Sequence, residues 1–357
     1  MQNTYFPPNE GSPTGETSIN VKPAIVARFR LYVFALAGIT FFLMALGSAT
    51  RVMNAGLSCP DWPLCFGEVI PRDRMTLQVF LEWFHRVIAT SVGVGAIALV
   101  GSSWGLRKHL PVWLPWAALG ALGLVVFQGI LGGLTVTELL RFDIVTAHLG
   151  TGLLFFSLLL SIGIGLTRLS VSSSSSSKSV DGTQGRQSSE LVKAGDSAIP
   201  AYLPWVGTIA TVAIYGQSIL GALVASQWAL HLCFGESELC RVMNAHLLGI
   251  LPAATATLSV AIATWIAPTK TAGLRRLSYL ATLLLIAQLA VGTATYRLHL
   301  QVEPLTVTHQ AIGAALLGTL LCFTLLAWRL RLQTSGASGE QDRTELERAE
   351  RASATTV

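Results

Sequence analysis

Charge is scarce in this chain. Only 12% of its 357 residues are Asp, Glu, Lys or Arg, against roughly 25% in soluble globular proteins, and that shortage excludes an ordinary water-soluble domain. There is no stripe of basic residues interleaved with aromatics, so the net charge of +5 does not mark a nucleic-acid surface. The first 22 residues are polar, rich in Pro, Gly, Asn and Thr, and without an apolar core, which predicts a disordered tail and no cleavable signal peptide. Cysteine is sparse too, with five in all.

What the chain has in plenty is apolar sequence. Hydrophobic residues make up 52% of it, gathered into runs near 31–50, 77–101, 112–134, 145–167, 201–225, 243–266, 277–296 and 305–328. Runs of about 20 apolar residues read as membrane-spanning helices. The expected fold class is therefore an all-α polytopic membrane protein with eight transmembrane helices. Fourteen basic residues fall in the segments on one side (Lys22, Arg28, Arg30, Arg107, Lys108, Arg168, Lys178, Arg186, Lys193, Lys270, Arg275, Arg276, Arg329 and Arg331), and six on the other (Arg51, Arg72, Arg74, Arg141, Arg241 and Arg297). The positive-inside bias puts both termini in the cytoplasm. A serine-rich linker, with Ser172 to Ser177 at its start, divides the chain. The expected organisation is a cytoplasmic tail over 1–27, a four-helix bundle over 28–169, the linker over 170–199, a second bundle over 200–330, and a polar cytoplasmic tail over 331–357. Beyond about residue 333 disorder is favoured over a short surface helix at 340–354.

Two cysteine pairs, Cys59/Cys65 and Cys233/Cys240, fall in outside loops. They read as disulfides, structural or redox-active. The alternative, a metal site, fares worse because a structural zinc site needs about four ligands, and neither loop offers them. Cys322, alone in an apolar helix, reads as a packing residue.

A repeat organises the rest. His85 and His148 are 63 residues apart, and so are His246 and His309. Each lies near the outer end of an even-numbered span and is followed by glycines. The odd spans carry Gln128 with Gly132, Gln217 with Gly221, and Gln288 with Gly292, small residues that allow helices or a flat ligand to approach. Four spans per half make the halves copies of the same orientation, two pseudo-symmetric four-helix bundles related by an axis along the membrane normal. Another match, Arg51-Val-Met-Asn-Ala55 with Arg241-Val-Met-Asn-Ala245, is out of register with the histidines and reads as chance.

A lone membrane histidine is usually a packing residue. Four at matched depth, paired by half, suit a flat metal macrocycle with two axial nitrogens, that is, haem. His85 with His148 and His246 with His309 are the expected pairs. His109, His231 and His299 read as surface or interfacial. Arg86, Arg141 and Arg297, near the outer ends, are candidates to pair with haem propionates, with snorkelling to the interface as the alternative. The copies differ at one place. Glu82 stands three residues before His85, where the other histidines have Val145, Met243 and Thr306. Residues three apart share a helix face, so one ligand position alone has a carboxylate beside it. A proton donor or acceptor is the expected role; an interfacial ion pair with Arg86 is the alternative.

The stretches Glu82-x-x-His85-Arg86, Gln128-Gly-x-Leu-Gly-Gly-x-Thr135, His148 with its glycines, Gln288-x-x-x-Gly292-x-x-Thr295 and Thr308-His309-Gln310 together resemble the haem A synthase family over about 28–330. The loop from Gly56 to Cys65 resembles the members with outside disulfides. The resemblance implies an oxidoreductase that converts haem O to haem A for cytochrome oxidase by two successive oxidations of a porphyrin methyl. It implies substrate haem O between His85 and His148, cofactor haem b between His246 and His309, a catalytic Glu82, and disulfides Cys59–Cys65 and Cys233–Cys240. Molecular oxygen and an electron donor are implied as co-reactants, and haem O synthase and the cytochrome oxidase assembly machinery as partners, in a bacterial plasma (inner) membrane or an internal energy-transducing membrane. A homo-oligomer is left open. The rival readings are a two-haem cytochrome b-type electron carrier and a haem-handling protein, neither of which needs Glu82.

Overall fold

A computed structural model describes residues 22–167, 199–226, 238–267, 271–298 and 302–354, with backbone alone described at 238–240 and 334–354. The helices in chain order are α1 (Pro23–Val52), α2 (Leu77–Gly105), α3 (Trp113–Thr137), α4 (Phe142–Gly165), α5 (Tyr202–Ser226), α6 (Glu238–Ile266), α7 (Ala272–Arg297) and α8 (Glu303–Ala354). All eight are long and apolar enough to cross a membrane, as the hydropathy runs require. Among the described residues there is no strand, only one isolated bridge between Cys65 and Glu68.

The helix starts follow local chemistry. Proline at the first position of α1 needs no backbone donor there, and α1 begins eight residues before the apolar run that announced it. Thr76 caps α2, its side chain accepting the Val79 N–H at 3.3 Å. Between α3 and α4 the chain turns through Leu139 and Leu140, both at positive φ (52° and 60°). Inside the helices many hydroxyls donate to the carbonyl four residues back, as Thr40 does to Leu36 and Thr264 to Val260. In hydrocarbon this satisfies a group that water cannot.

Helix α1 packs on α2 and α4, and α3 closes the ring by packing on the same two. The second half repeats this set of neighbours, with α5 on α6 and α8 and with α7 on both. The halves meet where α4 and α8 touch and where α1 lies on α8 and α4 on α5. Each half has its own apolar core. Val33, Leu99, Leu114 and Leu159 sit at the centre of the first, and Leu203, Leu274, Leu320 and Phe323 at the centre of the second. Phe41 and Met44 of α1 flank both cores, so α1 belongs to the first half by sequence and faces both by packing.

The helix α8 differs from expectation. It continues past its apolar segment to Ala354, where disorder was favoured. The extension is rich in Glu, Arg and Ala, strong helix formers, and Glu347 and Arg351 are spaced four apart, the favourable order for a helical ion pair. The amino-terminal residues 1–21, the linker from 168 to 198, the 233–240 cysteine pair, His231 and His299 lie outside the described residues or side chains.

Arg329 of α8 fastens the halves at the end where the linker begins. Its guanidinium donates to the carbonyl oxygens of Ile164 and, at 2.7 Å, Thr167. These carbonyls lie in the last turn of α4 and just past it, where Ile164 also accepts the Thr167 N–H at 3.0 Å. Charged hydrogen bonds of this kind contribute about 1.5–3 kcal/mol. Arg329→Ala is expected to lower the stability of the detergent-solubilised protein by about 1–3 kcal/mol, read as a drop in thermal midpoint, and Arg329→Lys to recover part of it. An unchanged midpoint for Arg329→Ala would show that the contact contributes nothing.

Candidate functional site

Each of the four predicted histidines lies against a glycine of an odd-numbered helix. A Cβ added at Gly47 of α1 would lie 2.8 Å from His85 Cε1, and one at Gly292 of α7 would lie 2.7 Å from His309 Cε1. At Gly221 of α5 the distance to His246 Cε1 is 3.1 Å, and at Gly132 of α3 that to His148 Cε1 is 3.5 Å. At Gly47 and Gly292 the ring occupies space that only a missing side chain leaves, at Gly221 the fit is tight, and at Gly132 the distance is an ordinary contact. Three of these helices add a glutamine one turn before the glycine. Gln128 donates to the His148 carbonyl at 2.8 Å and Gln217 to the His246 carbonyl at 2.7 Å, while Gln288 Nε2 is 3.3 Å from His309 Nε2. The motif read as a helix-approach signal is thus a cradle: glycine seats the ring and glutamine holds the histidine.

His246 and His309 line one cavity of about 610 Å³, with Gln217, Gly221, Gln288 and Gly292 beside them, a volume within the roughly 300–1,000 Å³ usual for cofactor sites. His85 and His148 are close enough to interact electrostatically. The donor chemistry fits a haem. Among the described residues no three His, Cys, Asp or Glu side chains converge as a metal cage would require, whereas a macrocycle brings its own in-plane donors and asks for two axial ones. Buried side-chain polar atoms are nearly always hydrogen-bonded. Seven here have no partner, and three of them are Nδ1 of His85, His148 and His309.

Helix α1 lacks the glutamine, with Leu43 one turn before Gly47. In its place α2 is fastened from outside by the first loop. Glu82 is 4% exposed; its Oε1 accepts from Arg86 Nη2 at 2.6 Å and its Oε2 from the Cys59 N–H at 2.7 Å. The Arg86 guanidinium also donates to the carbonyl oxygens of Asp61 at 2.6 Å, Cys59 at 3.4 Å, and Leu64. Trp83 Nε1 donates to Val69 at 2.8 Å. The loop is closed by the Cys59–Cys65 disulfide, both cysteines buried, and its Trp62 lies against Gly133, the neighbour of the His148 seat. So the ion pair weighed as the alternative for Glu82 is formed, and the carboxylate is also tied to the disulfide loop.

The other arginine candidates sit apart. Arg141 is exposed and pairs with Asp143 at 2.8 Å and Glu138 at 3.3 Å. Arg297 is exposed in the last turn of α7. His109 lies in a 3₁₀ turn between α2 and α3, its carbonyl accepting the Lys22 N–H. A residue missed by the sequence reading is Arg51, which lines the His246/His309 cavity from α1. No spacing along α1 signalled it, because which face of α1 meets the second half is set by packing.

The cytochrome oxidase assembly protein family matches residues 30–321. The chain belongs to this family, that of the haem A synthases. The haem A synthase of Shewanella oneidensis is 25% identical over 346 residues, covering 83% of this chain and 96% of its own. That of Shouchella clausii is 29% identical over 310 residues, covering 83% and 95%. That of Alkalihalophilus pseudofirmus is 33% identical over a shorter stretch of 107 residues, 29% of this chain and 35% of its own. The match to the haem A synthase family spans both cradle-bearing halves and the first disulfide loop.

Two predictions follow from the cradle and the loop. Overpacking typically costs about 1–3 kcal/mol, or around tenfold in affinity, so Gly292→Ala and Gly47→Ala are expected to weaken haem binding by about that factor, while Gly132→Ala, with ordinary contact distance, stays near wild type. Absorbance titration with haem distinguishes them, and equal behaviour of all three would remove the cradle argument. In the loop, Asp61 accepts the Gly67 and Phe66 N–H groups, which, with the charge of Arg86, hold its carboxyl below the usual aspartate value. The sign follows from linkage. The stabilisation is full above the unfolded value of about 3.9 and is lost as pH falls through the lower folded value. Hydrogen exchange at the Phe66 and Gly67 amides, corrected for intrinsic rate, is expected to lose protection only under that acid condition, and Asp61→Asn to abolish the dependence.

Proposed function

We propose that this chain is a haem A synthase, a membrane oxidoreductase that converts a methyl group of haem O to the formyl group of haem A for cytochrome oxidase. The observation that carries the reading is the fourfold cradle, a half-buried imidazole beside a glycine in each of four helix pairs, with one carboxylate, Glu82, beside one of the four. Equivalent halves would suit a plain electron carrier; the carboxylate on one half favours an enzyme whose substrate half is the amino-terminal one.

In this reading His85 and His148 hold haem O, with its farnesyl tail against apolar helix surface, and His246 and His309 hold haem b. Haem b, when bound, supplies one-electron redox chemistry. The first hydroxylation converts the methyl to a hydroxymethyl group, and the second gives a geminal diol that loses water to leave the formyl. Oxygen is the expected oxidant, and an electron donor outside the chain supplies reducing equivalents. Glu82 has the protein's part in moving protons. Its Oε1 faces the Arg86 cation and its Oε2 the Cys59 N–H, so the carboxylate is oriented before substrate arrives and sits on the same helix face as His85. Arg86, with its donors spread over loop carbonyls, positions Glu82 and the loop more than it serves a propionate; Arg141 and Arg297 remain propionate candidates at the rim. Cys59–Cys65 keeps the loop closed over this end, and Cys233–Cys240 is its proposed counterpart in the second half.

The bias of basic residues supports cytoplasmic termini, with a bacterial plasma membrane or an internal energy-transducing membrane as the proposed location. Haem O synthase is the natural supplier of substrate, and two pseudo-symmetric bundles are the architecture that the repeated neighbour pattern supports.

The test is pigment extraction from membranes with a haem O source. Glu82→Gln is expected to abolish haem A formation while leaving the spectrum of the second-half haem unchanged. His246→Ala or His309→Ala is expected to remove that spectrum. Normal haem A production by Glu82→Gln would sink the catalytic role, and a surviving haem b spectrum in both histidine variants would sink the ligand assignment.

A further inference from the structure

The cavity that holds His246 and His309 is built mainly from the second half, yet one wall comes from α1 of the first. Met44 and Arg51 of that helix line it. They are seven residues apart and so lie on one stripe, with Ser48 and Gly47 between them on the same side, Gly47 at the edge that seats His85.

Among the described residues Arg51 is the one arginine lining this cavity. It is half-buried, and its Nε is shut away from solvent with no hydrogen-bond partner. Among the described residues no carboxylate lies within ion-pair distance of it; Glu303 lines the same cavity but is exposed and not paired with it. Two further buried atoms on the cavity wall also lack partners, Gln288 Oε1 and Thr306 Oγ1, as does His309 Nδ1, so four of the seven orphaned atoms border this one space. A buried cation in a membrane protein is costly unless something anionic answers it. The remaining wall is largely apolar, with Leu149, Leu153, Ile214 and Leu285. The occupant that satisfies such a wall is flat and apolar with an acidic edge.

We propose that Arg51 binds a carboxylate of the ligand held by His246 and His309, so that the first half of the chain contributes an anion anchor to the site of the second. This rests on the reading of that cavity as a haem b site. The planar guanidinium suits a carboxylate in a bidentate fork, which an ammonium cannot reproduce. Loading the second half therefore also ties α1 to it across the boundary between the halves.

The test separates the carboxylate from the rest of the ligand. Full-length protein carrying His85→Ala and His148→Ala, which silences the first pair, is titrated with haem b and with haem b dimethyl ester, following six-coordinate haem absorbance. The free acid is expected to bind roughly tenfold or more tightly than the diester, as a charge-assisted hydrogen bond would give. Adding Arg51→Gln is expected to remove about tenfold of that preference while leaving diester affinity unchanged, and Arg51→Lys to keep part of it. The midpoint potential of the bound haem should fall in Arg51→Gln, because a cation that disfavours the oxidised state is gone. Equal weakening toward both ligands, or an unchanged preference, overturns the proposal. Absence of six-coordinate haem in the parent carrying Arg51 overturns the haem reading of the cavity, and the anchor with it.

Discussion

An imidazole ring cannot be placed between two closely packed helices unless one of them gives up a side chain. That requirement is strict at His85 and His309, tight at His246 and relaxed at His148, and much of the architecture follows from it. A glycine on each odd helix opposes a histidine on the next even one. The glutamine a turn away in α3, α5 and α7 then holds the histidine or its carbonyl, which fixes the ring without needing water that the bilayer does not supply. In α1 the glutamine is replaced by Leu43. There the burden passes to Glu82, Trp83 and Arg86, which grip a disulfide-closed loop from the end of α2.

That substitution makes the two halves chemically unlike although their helices have the same neighbours. The first half has a carboxylate inside the fold, oriented by a cation and a backbone amide; the second half has a large apolar cavity with two imidazoles and an arginine borrowed from across the boundary. An enzyme that modifies one macrocycle and keeps another needs such a division: polar groups able to handle protons on one side, and a site tuned to retain its ligand on the other. Helix α1 is where the division is joined. Adjoining parts of one face do both: Gly47 seats His85, and Met44 and Arg51 line the second cavity.

Much of this was legible from residue order. The eight spans were, because crossing a bilayer requires about 20 apolar residues and few chains reach that by accident. The four histidines and their glycines were, because duplication preserves spacing and 63 residues separate each pair. Glu82 was, because a carboxylate that breaks a repeat is visible without coordinates. The role of Arg86 was legible only in part. Its pairing with Glu82 follows from a spacing of four, but its grip on the carbonyls of Cys59, Asp61 and Leu64 depends on how the loop folds back. The extent of α8 was misjudged, since a polar sequence of strong helix formers reads as disorder when the helix it continues is not considered.

Arg51 marks the limit of reading the sequence alone. The sequence by itself determined the class, the repeated histidines and the odd carboxylate, because these depend on local composition and on spacing along one helix. Which half a side chain serves was decided by the tertiary structure. Arg51 lies in the first half by position, and its match to Arg241 carried no meaning in register. It reaches the second cavity because α1 packs against α8 and rotates the stripe through Met44 toward it. Contact between helices distant in sequence is set by the packing of whole faces, and no spacing within α1 encodes which helix will lie against which face.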